Sequence, residues 1–320
     1  PELRQAICRY LERRFGAAFD WQKEVLVTVG VSEAIDLAIR AICSPGDEIL
    51  YHEPCFVSYA PTIRMAHGVP VCVETRVEDD FRLTVAALEA KMTPKTKALL
   101  LNFPCNPTGA TLTRAGLKAI AKFVLKHDLL LLADEVYSEL AYDGRVLSFS
   151  SLPELKDNMV LLNGFSKSWA MTGYRLGYAC GPREVVDTMM KIHQYGIMSA
   201  PTLSQAAGVE AMNRGDDDVA RMRAEYRRRR DFLVAALNDM GLRTVLPKGA
   251  FYVMAALPVD DAEKFQIWML EEFDDNGDTL MFTPAESFYK TPHTGVNEIR
   301  MAYVINEKDI TRCMELLKKG

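Results

Sequence analysis

The chain has 320 residues, of which 49% are hydrophobic, and its formal net charge is −5. This length is enough for one large domain and a smaller one. Charges of both signs are spread along the sequence, which argues against nucleic acid as a partner. No apolar run approaches membrane-spanning length and no signal peptide is visible, so we expect no membrane partner either.

The cysteines of the chain do not suggest a disulfide framework or a metal centre. All seven are scattered, and none forms a CxxC pair or a cluster with histidine. We therefore predict free thiols and a protein of the reducing cytoplasm. Because thiol and imidazole metal sites need clustered ligands, we predict no metal site.

The first two-thirds of the chain alternates helical and extended patterns. The opening segment, PELRQAICRYL, has the pattern of a helix with proline in its first turn, and we expect an N-terminal arm to precede Pro1. From about residue 24, amphipathic helix patterns such as VSEAIDLAIRAIC and RAGLKAIAKFVLKHD separate short apolar runs. Those runs are EVLVTVG, VPVCVE, TKALLLN, LLLLADEVY, NMVLLNGFSK and RLGYACG. This alternation predicts an α/β, doubly wound, mostly parallel sheet in a large domain spanning residues 20–214.

The pattern changes near Gly215. A long helix is predicted over DDDVARMRAEYRRRRDFLVAALNDMG, with acids at its start and Gly241 after its end. Its four consecutive arginines, residues 227–230, are predicted to lie on a solvated face. An α+β segment follows, with FYVMAALP, TLMFTPAE and EIRMAYVI before a final helix. We predict a smaller α+β domain formed by residues 1–19 and 215–320.

Polar residues follow several of the predicted strands. Ligands bind at the carboxyl ends of the strands in open parallel sheets. An amide, a carboxylate with a phenol, a lysine and a helix start should therefore meet at one sheet edge. The residues concerned are Asn102 and Asn106, Asp134 and Tyr137, Lys167, and Gly30 with Val31 and Ser32.

This combination of groups matches the needs of one cofactor. A helix N-terminus together with Arg175 can bind a phosphate monoester. A carboxylate can keep a pyridine nitrogen protonated, and a lysine near that cation loses its own proton more easily and can form a Schiff base. These are the requirements of pyridoxal 5′-phosphate, which acts as an electron sink.

The motifs NPTG, DEVY and SKSWAMTGYRLGY, in this order, resemble those of the class I/II aminotransferases of PLP fold type I. The resemblance runs from Pro1 to the last helix. It implies that Lys167 forms the Schiff base with the cofactor and that Arg175 binds the phosphate. It also implies that Asp134 pairs with the pyridine nitrogen, and that Tyr137 and Asn106 donate to the phenolic oxygen.

The resemblance also implies roles for further residues. Phe56 would stack on the cofactor ring, where the family more often has tyrosine or tryptophan. Val31 and Ser32 would form the phosphate-binding helix start. Gly164 stands where the family often has a phosphate-binding serine, which leaves Ser166 as the hydroxyl. Arg300 would grip the substrate α-carboxylate, which Asn106 would also touch.

The function implied by the resemblance is ping-pong amino transfer between an α-amino acid and a 2-oxo acid in a cytoplasmic homodimer. The amino donor could be aspartate or a broad range of amino acids. Dicarboxylate-selective relatives often have a lysine where this chain has Ser32. Two alternatives stay open: a PLP-dependent carbon–sulfur β-lyase, and an aminotransferase-like sensor domain of a transcription regulator, which would need a winged-helix segment upstream.

Overall fold

A seven-stranded sheet lies at the centre of the computed structural model, which describes residues 1–144 and 146–320. The strand order is β1-β7-β6-β5-β4-β2-β3. Only β7 runs against its neighbours, since it pairs antiparallel with both β1 and β6. The mostly parallel sheet predicted from the sequence is thus confirmed. The strands are β1 (Val25–Thr28), β2 (Glu48–Glu53), β3 (Val69–Glu74), β4 (Thr96–Asn102), β5 (Leu130–Asp134), β6 (Met159–Gly164) and β7 (Gly177–Cys180).

Both faces of this sheet are covered, which explains why its strands read as continuous apolar runs. In β4, Leu100 points into the hydrophobic cluster on one face. Its neighbours Leu99 and Leu101 point into the cluster on the other face. Successive side chains of a strand alternate between faces, so a strand with two covered faces needs apolar residues at every position.

Eight helices of the described ranges surround the sheet. Residues of α2 and α7 belong to the cluster on one face, and residues of α1 and α5 to the cluster on the other. No helix in residues 1–144 or 146–320 combines the length and apolar character needed to cross a bilayer. The eight helices are α1 (Glu2–Phe15), α2 (Gly30–Ile42), α3 (Tyr59–Met65), α4 (Val85–Glu89), α5 (Arg114–Lys126), α6 (Phe165–Ser168), α7 (Arg183–Gly196) and α8 (Thr202–Arg214).

The last third of the chain builds a second, smaller sheet with three antiparallel strands in the order β8-β10-β9. Its elements are α9 (Asp216–Asp239), β8 (Tyr252–Ala256), α10 (Ala262–Glu271), β9 (Thr283–Pro284), β10 (Glu298–Ala302) and α11 (Glu307–Lys319). Helix α1 packs against α8 and β1. The division into a large domain, 20–214, and a small domain, 1–19 with 215–320, stays a prediction.

The run of four arginines in α9 does not form a uniformly solvated face, so that prediction is wrong for one of them. Arg230 is 3% exposed. Its Nη1 donates to the carbonyl of Pro247 at 2.8 Å, and its guanidinium lies 4.8 Å from the centre of the Tyr142 ring. Four consecutive residues span more than one turn of a helix, so one of them must point towards the core.

Candidate active site

A cavity of about 390 Å³ lies at the carboxyl edge of the large sheet, facing the small sheet. The ten residues to which the family resemblance gave cofactor or substrate contacts all line it: Val31, Ser32, Phe56, Asn106, Asp134, Tyr137, Ser166, Lys167, Arg175 and Arg300. Five further residues line it: Ile35, Asn102, Val136, Thr172 and Tyr252. Of these, the sequence analysis had placed only Asn102 at this edge. The tertiary structure therefore brings together groups that are up to 269 positions apart, from Val31 to Arg300.

Asp134 is a buried carboxylate at the end of β5. The Tyr59 hydroxyl donates to its Oδ2 at 2.7 Å, and the Val136 amide donates to its Oδ1 at 3.2 Å. Burial raises the pKa of Asp134 to about 6, and the two donors oppose this shift. Above that pH the group is a buried anion, which favours a cation in the cavity beside it.

Tyr59 was missed by the sequence analysis, although it directly contacts a residue that was predicted. It is fully buried in α3, and its ring packs edge-on against that of Phe56 at 5.7 Å. The signal available was its position three residues after Phe56, close enough that its amide donates to the Phe56 carbonyl at 3.2 Å. Its hydroxyl holds the Asp134 carboxylate in position.

The neighbouring acid of the DEVY motif, Glu135, does not reach the cavity. It accepts a hydrogen bond from the Phe149 amide at 2.8 Å, and burial raises its pKa to about 7. Phe149 belongs to the hydrophobic cluster on the opposite face of the sheet. Since consecutive residues alternate in direction at a strand end, only one of two adjacent carboxylates can face the site.

Lys167 lies in α6, the short helix that follows β6 directly. Its Nζ is 5.8 Å from the centre of the Tyr137 ring and 5.5 Å from that of Phe251. Its pKa is lowered by burial first, and then by the positive charges of Arg300 and Arg175. A lowered pKa increases the fraction of neutral amine, which is the nucleophilic form that attacks a carbonyl.

Arg175 and the start of α2 form one end of the cavity. Gly30 begins α2 with φ 76°. A Cβ built on it would lie only 2.8 Å from Nη2 of Arg175, so the guanidinium sits against the helix start. The Nη1 atom of Arg175 donates to the Thr172 carbonyl at 3.0 Å. A helix N-terminus and an arginine together form a site for an anion such as phosphate.

Two more glycines allow this close approach. A Cβ on Gly177, in β7, would lie 2.5 Å from the carbonyl carbon of Gly30 and 2.7 Å from the amide nitrogen of Val31. A Cβ on Gly164 would lie 2.7 Å from Cγ2 of Val31 and 3.0 Å from the Leu176 carbonyl oxygen. Position 164 therefore has no room for the Cβ of a serine, which accounts for the glycine there.

Arg300 lies at the opposite end of the cavity, on β10. Its Nη1 donates to Oδ1 of Asn106 at 2.9 Å, and its Nη2 donates to the Thr283 hydroxyl at 3.3 Å. Burial lowers its pKa. Ile299 and Met301, its neighbours along the strand, are buried on the other face. The Arg300 guanidinium is thus a partly desolvated cation with a flat hydrogen-bonding edge near the cavity.

The residues present fit pyridoxal 5′-phosphate. The cavity offers a lysine with a lowered pKa, a buried carboxylate for a cationic ring nitrogen, and an anion site at a helix start. Lys167, Asp134 and Arg175 are the residues that would hold the three parts of the cofactor. Among the residues that the structure describes, no group of three or more His, Cys, Asp or Glu side chains is placed to bind a metal.

Comparison of the sequence with known proteins gives consistent matches. The family model described as aminotransferase class I and II matches residues 1–315. The putative aminotransferase YugH of Bacillus subtilis is 46% identical over 255 residues, covering 80% of this chain and 66% of that protein. The aspartate aminotransferase of Pyrococcus abyssi is 37% identical over 100% of this chain and 81% of that protein. The chain thus spans about two-thirds to four-fifths of these relatives.

Solved structures match almost the whole chain. The aromatic aminotransferase from Pyrococcus horikoshii is 37% identical, with a TM-score of 0.92 over 99% of this chain and 84% of that one. The aspartate aminotransferase from Thermus thermophilus with maleate is 34% identical, with a TM-score of 0.92 over 100% of this chain and 81% of that one. At this identity the likeness extends beyond the fold to the family.

The glycine contacts at the phosphate end generate a prediction. Gly177→Ala should weaken binding of pyridoxal 5′-phosphate by about tenfold or more, because its methyl group would push the start of α2 away from Arg175. Gly173→Ala is the matched control, since a Cβ there meets no atom within 4 Å. Fluorescence titration with the cofactor, with circular dichroism to confirm folding, measures both. Equal affinities for the two folded variants would contradict the proposed anion site.

Proposed function

The chain belongs to the class I and II aminotransferase family, whose members depend on pyridoxal 5′-phosphate, and we propose that it transfers an amino group between an α-amino acid and a 2-oxo acid. The observation that carries this proposal is the single cavity that Lys167, Asp134, Arg175 and Arg300 share. Relatives that match nearly the whole chain and are named as aspartate or aromatic-amino-acid aminotransferases support amino transfer over the carbon–sulfur β-lyase and sensor-domain alternatives.

Each end of the cavity has its own task in this proposal. The cofactor, when bound, supplies an electron sink that makes the α-proton of the substrate acidic. Lys167 binds the cofactor and, as a free amine, carries the α-proton. Asp134 stabilises the positive charge on the ring nitrogen. Arg175, with Val31 and Ser32 at the start of α2, binds the phosphate.

Four other residues complete the cofactor site in our proposal. Ser166 adds a hydroxyl at the phosphate end, and the ring of Phe56 stacks on the cofactor. Tyr137 donates to its phenolic oxygen. The Oδ1 atom of Asn106 already accepts from Arg300. Its amide NH₂ is therefore free to donate to the same phenolic oxygen.

The charges of the cavity bear on the choice of amino donor. Within the described ranges, its lining carries three cations, Lys167, Arg175 and Arg300. All three have tasks that do not involve a side-chain carboxylate, and Ser32 adds no charge. We propose a broad range of amino donors rather than strict selectivity for aspartate. A stopped-flow screen tests this by mixing the cofactor-loaded enzyme with each amino acid. Reaction with aspartate and glutamate alone would contradict it.

Attachment of the cofactor to Lys167 is the direct test of the proposed function. Borohydride reduction of the cofactor-loaded protein, followed by peptide mapping, should place the pyridoxyl group on Lys167, since its lowered pKa makes it the nucleophile in the cavity. Lys167→Ala should lose the label, whereas Lys191→Ala, at an exposed lysine of α7, should retain it. A label on any other lysine of the wild-type chain would refute the assignment.

Substrate binding through Arg300 gives a second prediction. Arg300→Lys keeps the charge but loses the fork that matches a carboxylate. We expect a loss of about 2–4 kcal/mol in transition-state binding, the range for a broken desolvated charge pair. The visible absorbance of the bound cofactor should not change. Near-normal kcat/KM for the variant, or loss of the cofactor instead, would show that Arg300 does something else.

We also propose a cytoplasmic homodimer with its active sites near the interface. The end of α7, the start of α8 and the connection between them expose large apolar side chains that a monomer would leave in water. Tyr195 is 87% exposed, Met198 81% and Leu203 84%. Arg175, at the phosphate end of the cavity, is exposed as well. The cysteines of the described ranges are all free thiols, in keeping with a reducing compartment.

Sedimentation velocity tests the dimer. Met198→Asp with Leu203→Asp should shift the protein towards monomer, because the two charges would have to be buried in the interface. Leu270→Asp is the control, because Leu270 is also an exposed leucine, at 49%, but lies on α10, outside the proposed interface. A catalytically competent wild-type monomer would contradict the proposal.

A further inference from the structure

Tyr252 is a buried residue of the cavity wall to which neither the sequence nor the proposed function has assigned a task. It is the first residue of β8 and pairs with Ala302 of β10 in the small sheet. Its hydroxyl lies 3.1 Å from the hydroxyl of Tyr137, which follows β5 of the large sheet. This hydrogen bond therefore joins the two sheets inside the cavity.

The hydroxyls of Tyr137 and Tyr252 each carry a single proton. Each hydroxyl can donate one hydrogen bond and accept others, so only one of them can donate within the pair. In the proposed function, Tyr137 donates to the phenolic oxygen of the cofactor. The Tyr137 proton is then used in the hydrogen bond to the cofactor. Tyr252 must therefore be the donor to the Tyr137 oxygen. A phenol that accepts a hydrogen bond becomes a stronger donor, because successive hydrogen bonds polarise each other.

The ring of Tyr252 has a second contact. The guanidinium carbon of Arg300 lies 4.3 Å from the centre of this ring and 4.8 Å from the centre of the Phe288 ring. The buried Nε of Arg300 has no hydrogen-bond partner in the described part of the chain. Cation–π contacts with flat rings therefore orient the plane of the guanidinium, together with its hydrogen bonds to Asn106 and Thr283.

We propose that Tyr252 is a positioning residue that serves both ends of the reacting centre. Its hydroxyl sets Tyr137 as a hydrogen-bond donor towards the cofactor, and its ring holds the Arg300 guanidinium in the plane that receives the substrate carboxylate. This rests on the proposed function. The two contacts belong to different atoms of Tyr252, so two substitutions can separate them.

Tyr252→Phe removes the hydroxyl and keeps the ring. A donor to the phenolic oxygen favours the anionic form of that oxygen, so a weaker donor should move the pH titration of the visible cofactor band to higher pH. The charged groups around the Tyr137 hydroxyl are Asp134, Lys167 and Arg300, and none of them is altered. We expect a shift of about half a pH unit. The substrate concentration that half-saturates the stopped-flow half-reaction should change less than about twofold, because the ring still supports Arg300.

Tyr252→Leu removes the ring as well as the hydroxyl. The titration should shift in the same direction, because the hydroxyl is lost. The half-saturating substrate concentration should also rise about tenfold, because the cation–π contact with Arg300 is lost. Tyr226→Phe is the matched control: Tyr226 also packs on Phe251, with ring centres 5.5 Å apart, but makes no hydrogen bond to Tyr137. It should leave both measurements unchanged.

A double-mutant cycle with Tyr137→Phe decides whether the hydroxyl of Tyr252 acts through Tyr137. In the Tyr137→Phe background, Tyr252→Phe should cause no further shift of the titration. An unmoved midpoint in Tyr252→Phe, or an equal shift in both backgrounds, would overturn the proposal for the hydroxyl. An unchanged half-saturating substrate concentration in Tyr252→Leu would overturn the proposed role of the ring. A wild-type chain that shows no visible band with pyridoxal 5′-phosphate would instead overturn the proposed function, and this inference with it.

Discussion

The close approach of β7 to the start of α2 is the constraint on which the rest of the site depends. It requires Gly177 opposite the backbone of Gly30 and Val31, because any side chain at position 177 would overlap main-chain atoms that cannot move separately. This contact places the positive end of a helix dipole beside the guanidinium of Arg175. β7 also pairs with β6, the strand that leads into Lys167. One steric condition thus places the start of α2 beside the strand pair that is flanked by Arg175 and Lys167.

The charges of the cavity explain how the pKa of Lys167 is lowered without a base beside it. Burial and the charges of two arginines at opposite ends lower the pKa of Lys167. The same arginines are cations that an anionic ligand would neutralise, so the electrostatic environment of Lys167 depends on what occupies the cavity. Asp134 contributes the opposite charge, and its pKa of about 6 leaves it ionised at neutral pH. The lowered pKa of this lysine therefore comes from its burial and from the arrangement of charges in the whole cavity.

Tertiary contacts account for what the sequence analysis did not predict. Tyr59 and Tyr252 both lie in apolar stretches, where the sequence predicts only that a tyrosine is buried. What sets them apart from other buried tyrosines is the hydrogen-bond partner of each hydroxyl, Asp134 and Tyr137 respectively. Arg230 reads as one of four surface arginines, yet it is buried because its position on α9 faces the core. In each case the side chain that the residue contacts lies on another element, 75 positions away for Tyr59 and Asp134. Local sequence patterns therefore could not identify the contact.

The roles of Phe56, Ser166 and Arg300 came from the family resemblance. The sequence by itself predicted the mostly parallel sheet, six of its seven strands (all but β2) and the polar groups at the strand ends. These follow from local rules: apolar runs with two covered faces, helix periodicity, and polar groups placed where strands end. Only the tertiary structure showed what Glu135 of the DEVY motif contacts, which atoms crowd position 164, and how Arg300 is oriented between aromatic rings. Those features depend on distances between atoms far apart in the chain, and such distances are set by packing, which periodicity and spacing do not specify.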